Sequence, residues 1–321
     1  MNKVKLQFKP KSRWREFLGE KFIALNALVA LAAIFLIFAF IFKESLPVFT
    51  DPEVKEEASV DKMVFKQVYY EGREPKYSWQ PNSIVPKYSL MPLFIGTVKA
   101  AIIAMLFAIP LGVGAAIYSA EFASHCLREI IKPVIELLAG IPSVVLGFFA
   151  LIVLATFLQK TFGFVFRLNA VNAGMALGVA VIPIIFTVAE DAMTSVPNSL
   201  RDAALALGAN PWQVSLTVVL PAALPGIAAG VILGFGRAIG ETMIVLMASG
   251  NAAIISASFA DSIRTISATI AAELAEVVFG GAHYSVLFFL GTLLFVFTFL
   301  INMGGDYILT RIKVKFQGRL K

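Results

Sequence analysis

Residues 199–221, SLRDAALALGANPWQVSLTVVLP, decide how this chain is read. Short polar groups interrupt an otherwise apolar sequence here, at places where helices start and stop. Ser199 with Asp202 three residues on has the form of a capping box, the hydroxyl taking an orphan N–H and the carboxylate lying at the positive helix end. Leu200, Ala203, Ala204 and Leu207 follow at helical spacing, so one face is apolar and mostly small. Gly208 suits a left-handed stop, Asn210 a second cap, and Pro211 the first position of another helical stretch. Leu220-Pro221 marks a break before the next apolar run. A short, shallow-faced helix held between long apolar segments is a part shaped to be gripped by something else.

Those flanking segments set the class. The chain is 58% hydrophobic, with a mean hydropathy of +0.81, far more apolar than a soluble domain. A membrane span needs about 20 apolar residues, and the sequence predicts six: Phe22–Phe42, Leu93–Ser119, Pro133–Leu158, Ala170–Ala189, Ala222–Ala248 and Tyr284–Met303. Pro110, Pro142 and Pro183 fall within them, tolerable where neighbouring helices satisfy the freed backbone groups. The expected fold class is all-α, a polytopic helical membrane protein. The first apolar run is too long for a usual signal-peptide core and lacks small residues after it, so it reads as a retained helix.

Basic residues orient the spans. Lys3, Lys5, Lys9, Lys11, Arg13, Arg15 and Lys21 crowd the N-terminal arm, and Arg311, Lys313, Lys315, Arg319 and Lys321 the C-terminal tail. Six spans place both tails in the cytoplasm of a multi-pass cell-membrane protein, and residues 199–221 with them. The loop at 43–91 then faces outward, mixing acids with Tyr69, Tyr70, Tyr77 and Trp79. Residues 1–21 form a basic arm, 22–42 a first span, 43–91 an outer loop, 92–310 a five-span body with the gripped helix near 199–209, and 311–321 a basic tail. The net charge of +6 expresses this topology and an attraction to anionic membrane lipid, not a nucleic-acid partner. Cys126 is the only cysteine, so no internal disulfide forms, and His125 and His283 fall on opposite sides of the membrane, against a shared metal site.

One predicted span carries charge where charge is expensive. Arg237 and Glu241 lie four residues apart, on one face of a continuous helix. Charges at membrane depth face a cavity or one another, and Gly236 and Gly240 leave that face open for close approach or a pathway. An arginine is well shaped to hold a tetrahedral oxyanion through paired N–H bonds; a purely structural Arg–Glu pair is the plainer alternative. No G-x4-G-K-[ST] phosphate loop occurs, so ATP hydrolysis is not expected of this chain.

From Asp202 through Pro221 the sequence reads D-A-A-x3-G-x9-V-x-L-P. It resembles the EAA signature of binding-protein-dependent ABC importer permeases, E-A-A-x3-G-x9-I-x-L-P, with Asp202 and Val218 as mild departures. Gly236-Arg237-Ala238-Ile239-Gly240-Glu241-Thr242-Met243 is similar to the PstC-type phosphate permeases, as are Ile135–Gly147, Gly96-Thr97 and Ala271–Glu276. Thr242-Met243 favours phosphate over the sulfate and molybdate permeases, and Met243-Ile244 favours the PstC over the PstA subunit. The likeness runs from Pro92 to Arg311. Tyr88-Ser89 and Lys99 depart from the family pattern; Lys99 reads as a side chain snorkelling to the outer interface or as a charge on the anion route.

The resemblance implies a type I ABC importer permease of MetI-like fold. It implies a heterodimer with a PstA-like permease, a PstB-like ATPase dimer holding ATP and Mg, and an extracytoplasmic phosphate-binding protein. No cofactor is expected in this chain. Arg237, Glu241 and Thr242 would line the substrate pathway, with Glu241 fixing the Arg237 side chain. Leu200, Asp202, Ala203, Ala204, Leu207, Gly208, Leu220 and Pro221 would form the coupling segment. Glu190 and Asp191 read as a boundary at the end of a span, Glu136 as a buried bundle residue, and Glu273 and Glu276 as charges near the outer mouth that repel escaping anion, contact the binding protein or lie on a solvated face. An importer of another oxyanion (sulfate, molybdate or tungstate) and a non-transport scaffold or sensor are the alternatives, and a membrane enzyme the weakest, because no nucleophile–base constellation is visible.

Overall fold

A computed structural model describes residues 13–69 and 74–317. Lys3, Lys5, Lys9, Lys11, Tyr70, Arg319 and Lys321 lie outside the described residues. Helix α1 (Arg13–Ser45) has one polar residue in its apolar stretch, Asn26, whose amide donates to the Phe22 carbonyl at 2.7 Å. Three short helices, α2 (Pro47–Thr50), α3 (Pro52–Ala58) and α4 (Val60–Val64), and a two-stranded hairpin of β1 (Trp79–Gln80) and β2 (Lys87–Tyr88) follow. The body runs through α5 (Met91–Ile117), α6 (His125–Ala139), α7 (Ser143–Phe149), α8 (Ala155–Phe162), α9 (Ala170–Thr194), α10 (Asn198–Ala206), α11 (Pro211–Val214), α12 (Leu220–Gly240), α13 (Met243–Ala248), α14 (Ile266–Glu273) and α15 (Ala282–Gln317). Single π-helical turns at Tyr118–Phe122, Ala150–Leu154 and Ser215–Val219 extend α5, join α7 to α8 and join α11 to α12.

Among the described residues six helical stretches are long and apolar enough to cross a membrane: Phe17–Thr50, Met91–Phe122, Ser143–Phe162, Ala170–Thr194, Pro211–Gly240 and Ala282–Arg311. Helix α9 is the centre, packed along α5 on one side and α12 on another. Small residues make this possible. A Cβ on Gly174 would stand 2.5 Å from Ile103, and one on Gly226 would stand 2.3 Å from Ala192, so the helix backbones approach more closely than any larger residue allows. Gly174→Val is therefore expected to wedge α9 from α5 and cost about 1–3 kcal/mol, read as an earlier melting transition in detergent. Helix α1 stands apart, touching α15 through Phe38 and Phe295 (ring centroids 4.5 Å apart) while most of its apolar surface stays open.

Several expectations need correction. The third span begins at Ser143, not Pro133: α6 ends at Ala139 with Gly140 as its cap, and Pro142 is the N-cap of α7 rather than an interior proline. The fifth ends at Gly240, because Glu241 is extended (φ −68°, ψ 133°), and Met243–Ala248 is a separate helix. Ser199 is not an N-cap; Pro197 holds that position without a side-chain cap bond, and the helix starts at Asn198, two residues earlier than a cap at Ser199 would give. Leu220-Pro221 does not break the chain's helical course. The preceding π turn pairs the Leu220 N–H with the Ser215 carbonyl, which lets the helix pass a proline that has no N–H to give. Glu136 is exposed on α6, not buried.

At the end of the bundle away from α10, the 43–91 segment packs on the body. Val48, Val54, Met63, Trp79 and Tyr88 join Leu93, Ile266, Leu287 and Leu290 in one apolar cluster. Lys99, rather than reaching an interface, is buried and donates to the carbonyls of Ser256 (3.1 Å) and Ser258, lying over the Phe259 ring. It fastens the 249–265 loop over the ends of α5 and α9, and a lysine held by carbonyls satisfies its charge without water.

Candidate functional site

Helix α10 hangs from the bundle with its outer surface bare. Leu200 is 38% and Leu207 90% exposed, and Asp202, Ala203 and Gly208 are exposed with them. Gly208 turns the chain with φ +88°, a conformation an L side chain rarely adopts. Asn210 and Gln213 then form a reciprocal capping box, at 2.8 and 2.9 Å, that starts α11 with Pro211 in its first turn. Ala204 faces inward to the apolar cluster of Phe186, Met193, Val214 and Val219. Leu220 also packs on that cluster, and Pro221 is half-buried. The structure thus gathers Leu200, Asp202, Ala203, Leu207 and Gly208 on one projecting surface and sets Leu220 and Pro221 into the body behind it.

Two ion-pair groups near this end escaped the sequence reading. The Arg201 guanidinium of α10 donates to both Glu121 carboxylate oxygens, at 2.8 and 3.4 Å, and to the carbonyls of Met193 (2.9 Å) and Val196. Helix α6 is held by Arg128 and Lys132 on the fully buried Glu190, with Lys132 also 2.9 Å from Asp191. Glu190 is therefore an anchoring point rather than a passive boundary. The sequence signal was weak in both cases: a carboxylate at a span end, with its partner tens of residues away.

The second candidate region is the end of α12. Arg237 lies in its last turn, exposed, with no hydrogen bond or ion pair among the described residues. It is not paired with Glu241, contrary to expectation, because the helix ends between them and Glu241 leaves the helical face. The Glu241 carbonyl instead accepts from the Ser267 hydroxyl at 2.8 Å, which pins α14 against the break. Thr242 lies beside it, and an open pocket of about 450 Å³ is lined by Gly240, Thr242, Ser267, Ala271 and Leu294 among others. A bare guanidinium on a membrane-crossing helix cannot rest against hydrocarbon without a cost of several kcal/mol, so this face of α12 is one that another protein surface or water covers.

Glu273, at the end of α14, is the hub of the opposite face of the molecule. Its carboxylate accepts from the Trp79 indole (3.1 Å), from Arg264 and from His283 (2.9 Å), and is not a solvated charge; Glu276 is exposed. Burial opposes its ionisation, yet the His283 and Trp79 hydrogen bonds and the Arg264 charge hold its carboxyl below the usual carboxylate range. A depressed carboxyl pKa contributes stability that is complete above the unfolded value of about 4.3 and lost as pH falls through the lower folded value. Acidification below pH 4.3 or so should release the hairpin, seen as a change in Trp79 emission in a protein whose other tryptophans are phenylalanine, and Glu273→Gln should remove that transition.

Residues 108–314 match the family of binding-protein-dependent transport system inner membrane components. The chain belongs to that family: it is a multi-pass inner-membrane permease of the ABC importer type. The phosphate transport system permease protein PstC of Mesorhizobium japonicum is 40% identical over 257 residues, 74% of this chain and 78% of that protein. PstC of Xylella fastidiosa is 34% identical over 258 residues, 74% of this chain and 79% of that one. A probable ABC transporter permease of Bacillus subtilis is 35% identical over 237 residues, 74% and 77%. Among solved structures, a bacterial ABC transporter involved in alginate import superposes with a TM-score of 0.61 at 16% identity, over 94% of this chain and 99% of that one. The MetNI methionine transporter gives 0.52 at 20% identity, over 70% and 94%. Both place the fold as the MetI-like one.

Proposed function

We propose that this chain is a transmembrane permease subunit of an ATP-driven inorganic phosphate importer, supplying part of the translocation pathway and coupling to a separate ATPase through α10. The unpaired Arg237 beside the break in α12 carries the reading. A cation kept free at that place is available to a passing anion, and the PstC relatives are named for phosphate transport.

In this reading the bare face of α12 meets a PstA-like permease, and the two chains enclose the pathway. The projecting surface of Leu200, Asp202, Ala203, Leu207 and Gly208 seats in a PstB-like ATPase dimer, which holds the ATP and Mg. Both termini are cytoplasmic, as is α10, and the 43–91 segment meets an extracytoplasmic phosphate-binding protein. ATPase closure draws α10, the pathway opens outward, and the binding protein releases phosphate to it. Arg237 accepts the anion through paired N–H bonds. Glu241, unpaired with Arg237 in this conformation, competes for the guanidinium afterwards and keeps residence short. Thr242 offers a hydroxyl at the same turn.

The assembled four-component complex in lipid should hydrolyse ATP faster when binding protein loaded with phosphate is added on the outer side. Stimulation absent with phosphate and present with sulfate or molybdate would contradict the phosphate assignment.

A further inference from the structure

The π turn at Tyr118–Phe122 is where three separate features of the α10 end converge. It closes with an N–H of Ala123 on the carbonyl of Tyr118, five residues back, at 2.8 Å. Glu121 in this turn takes the Arg201 guanidinium of α10, both side chains being largely buried. Phe122, the next residue, packs at a tilt against Trp212 of α11, ring centroids 5.6 Å apart and planes inclined by 36°. Ser119, two residues before Glu121, is buried and its hydroxyl has no hydrogen-bond partner among the described residues. One wide turn at the end of α5 is thus gripped by both helices of the segment that follows α9, and it holds a polar group that this arrangement leaves unsatisfied.

We propose that this turn is the joint through which motion of α10 enters α5, with Arg201 and Glu121 as positioning residues for coupling. The proposal rests on the importer reading above. A π turn is a helix segment with one residue more than an α turn needs, and such turns recur inside α-helices at functional sites. The Arg201 fork holds Glu121 and the Met193 and Val196 carbonyls at once, so α10 cannot shift without carrying the ends of α5 and α9. The Ser119 hydroxyl, buried in the same turn, takes no hydrogen bond from or to any described residue, so no bond from that side chain ties the turn to its neighbours. Arg201 also donates to the Asn198 side chain at 3.3 Å, but neither Arg201 nor Glu121 belongs to the projecting surface of Leu200, Asp202, Ala203, Leu207 and Gly208, so their work differs from ATPase capture.

The test uses the whole complex in proteoliposomes: this chain, its permease partner, the ATPase and the binding protein. Glu121→Gln keeps the shape of the side chain and removes its charge. Capture of the ATPase and its basal hydrolysis should persist, while phosphate moved per ATP hydrolysed falls by about tenfold or more, the scale of a typical coupling between sites. Arg201→Lys, which keeps one charged bond, should lose less. Wild-type stoichiometry in both variants would overturn the proposal. So would failure of both to assemble, because the pair would then hold the fold instead of conveying motion. A wild-type complex that moves a different oxyanion would sink the phosphate reading and leave this one to be read on that anion.

Discussion

Arg237→Gln abolishes phosphate uptake and leaves the complex intact: this is the largest effect the structure predicts. The guanidinium is exposed and bonded to nothing among the described residues, so its removal deprives the fold of no contact. What disappears is a charge-assisted bond to the anion, and truncating a charged partner in such a pair costs about 2–5 kcal/mol, roughly 30-fold or more. Uptake measured beside co-purification of the ATPase separates the two roles. Full transport by the variant would remove Arg237 from the pathway, and loss of assembly would make it an interface residue.

Leu207→Asp is expected to release the ATPase. Leu207 is 90% exposed at the tip beyond α10, so the substitution disturbs nothing inside the chain. Seated in a partner's groove, the carboxylate would be stripped of water without a counter-charge, weakening capture by about 2–4 kcal/mol, at least 30-fold. Ala203→Trp should act similarly through bulk, because a shallow, small-residue face permits close approach only while it stays small. Pull-down of the ATPase by this chain reads both. Undiminished capture by each would place the docking surface elsewhere.

Features built from neighbouring residues were legible in the sequence. The Gly208 turn and the Asn210–Pro211 start appear where expected, because a left-handed turn and a capping box are local chemistry. The six apolar stretches also emerge, length and hydropathy being additive along the chain. Boundaries failed where hydropathy runs on through a break: Gly140-Ile141-Pro142 and Glu241-Thr242 interrupt helices without interrupting the apolar pattern enough to be seen. Ser199 has the side chain of a cap, but Pro197, two residues earlier, takes that position with no side-chain bond, which residue type alone does not signal.

The rest was hidden by distance along the chain. Arg201 and Glu121 are 80 residues apart, Lys99 and the Ser256 carbonyl 157, and Trp79 and Glu273 194. A charge in a span announces that it has a partner, not which one. The same rule that singled out Arg237 therefore misplaced Lys99: both are costly charges, but one is satisfied by backbone carbonyls inside the chain and the other by nothing among the described residues. Only the fold separates a fastened cation from one left free for a ligand.

The most direct test of the central claim is ATP-dependent uptake of labelled phosphate by vesicles holding this chain with its permease partner, ATPase and binding protein, with excess unlabelled phosphate, sulfate or molybdate as competitors. Uptake that stops without ATP and is blocked by phosphate alone is the predicted result. Uptake blocked by sulfate or molybdate, or no phosphate accumulation while another oxyanion enters, would contradict it.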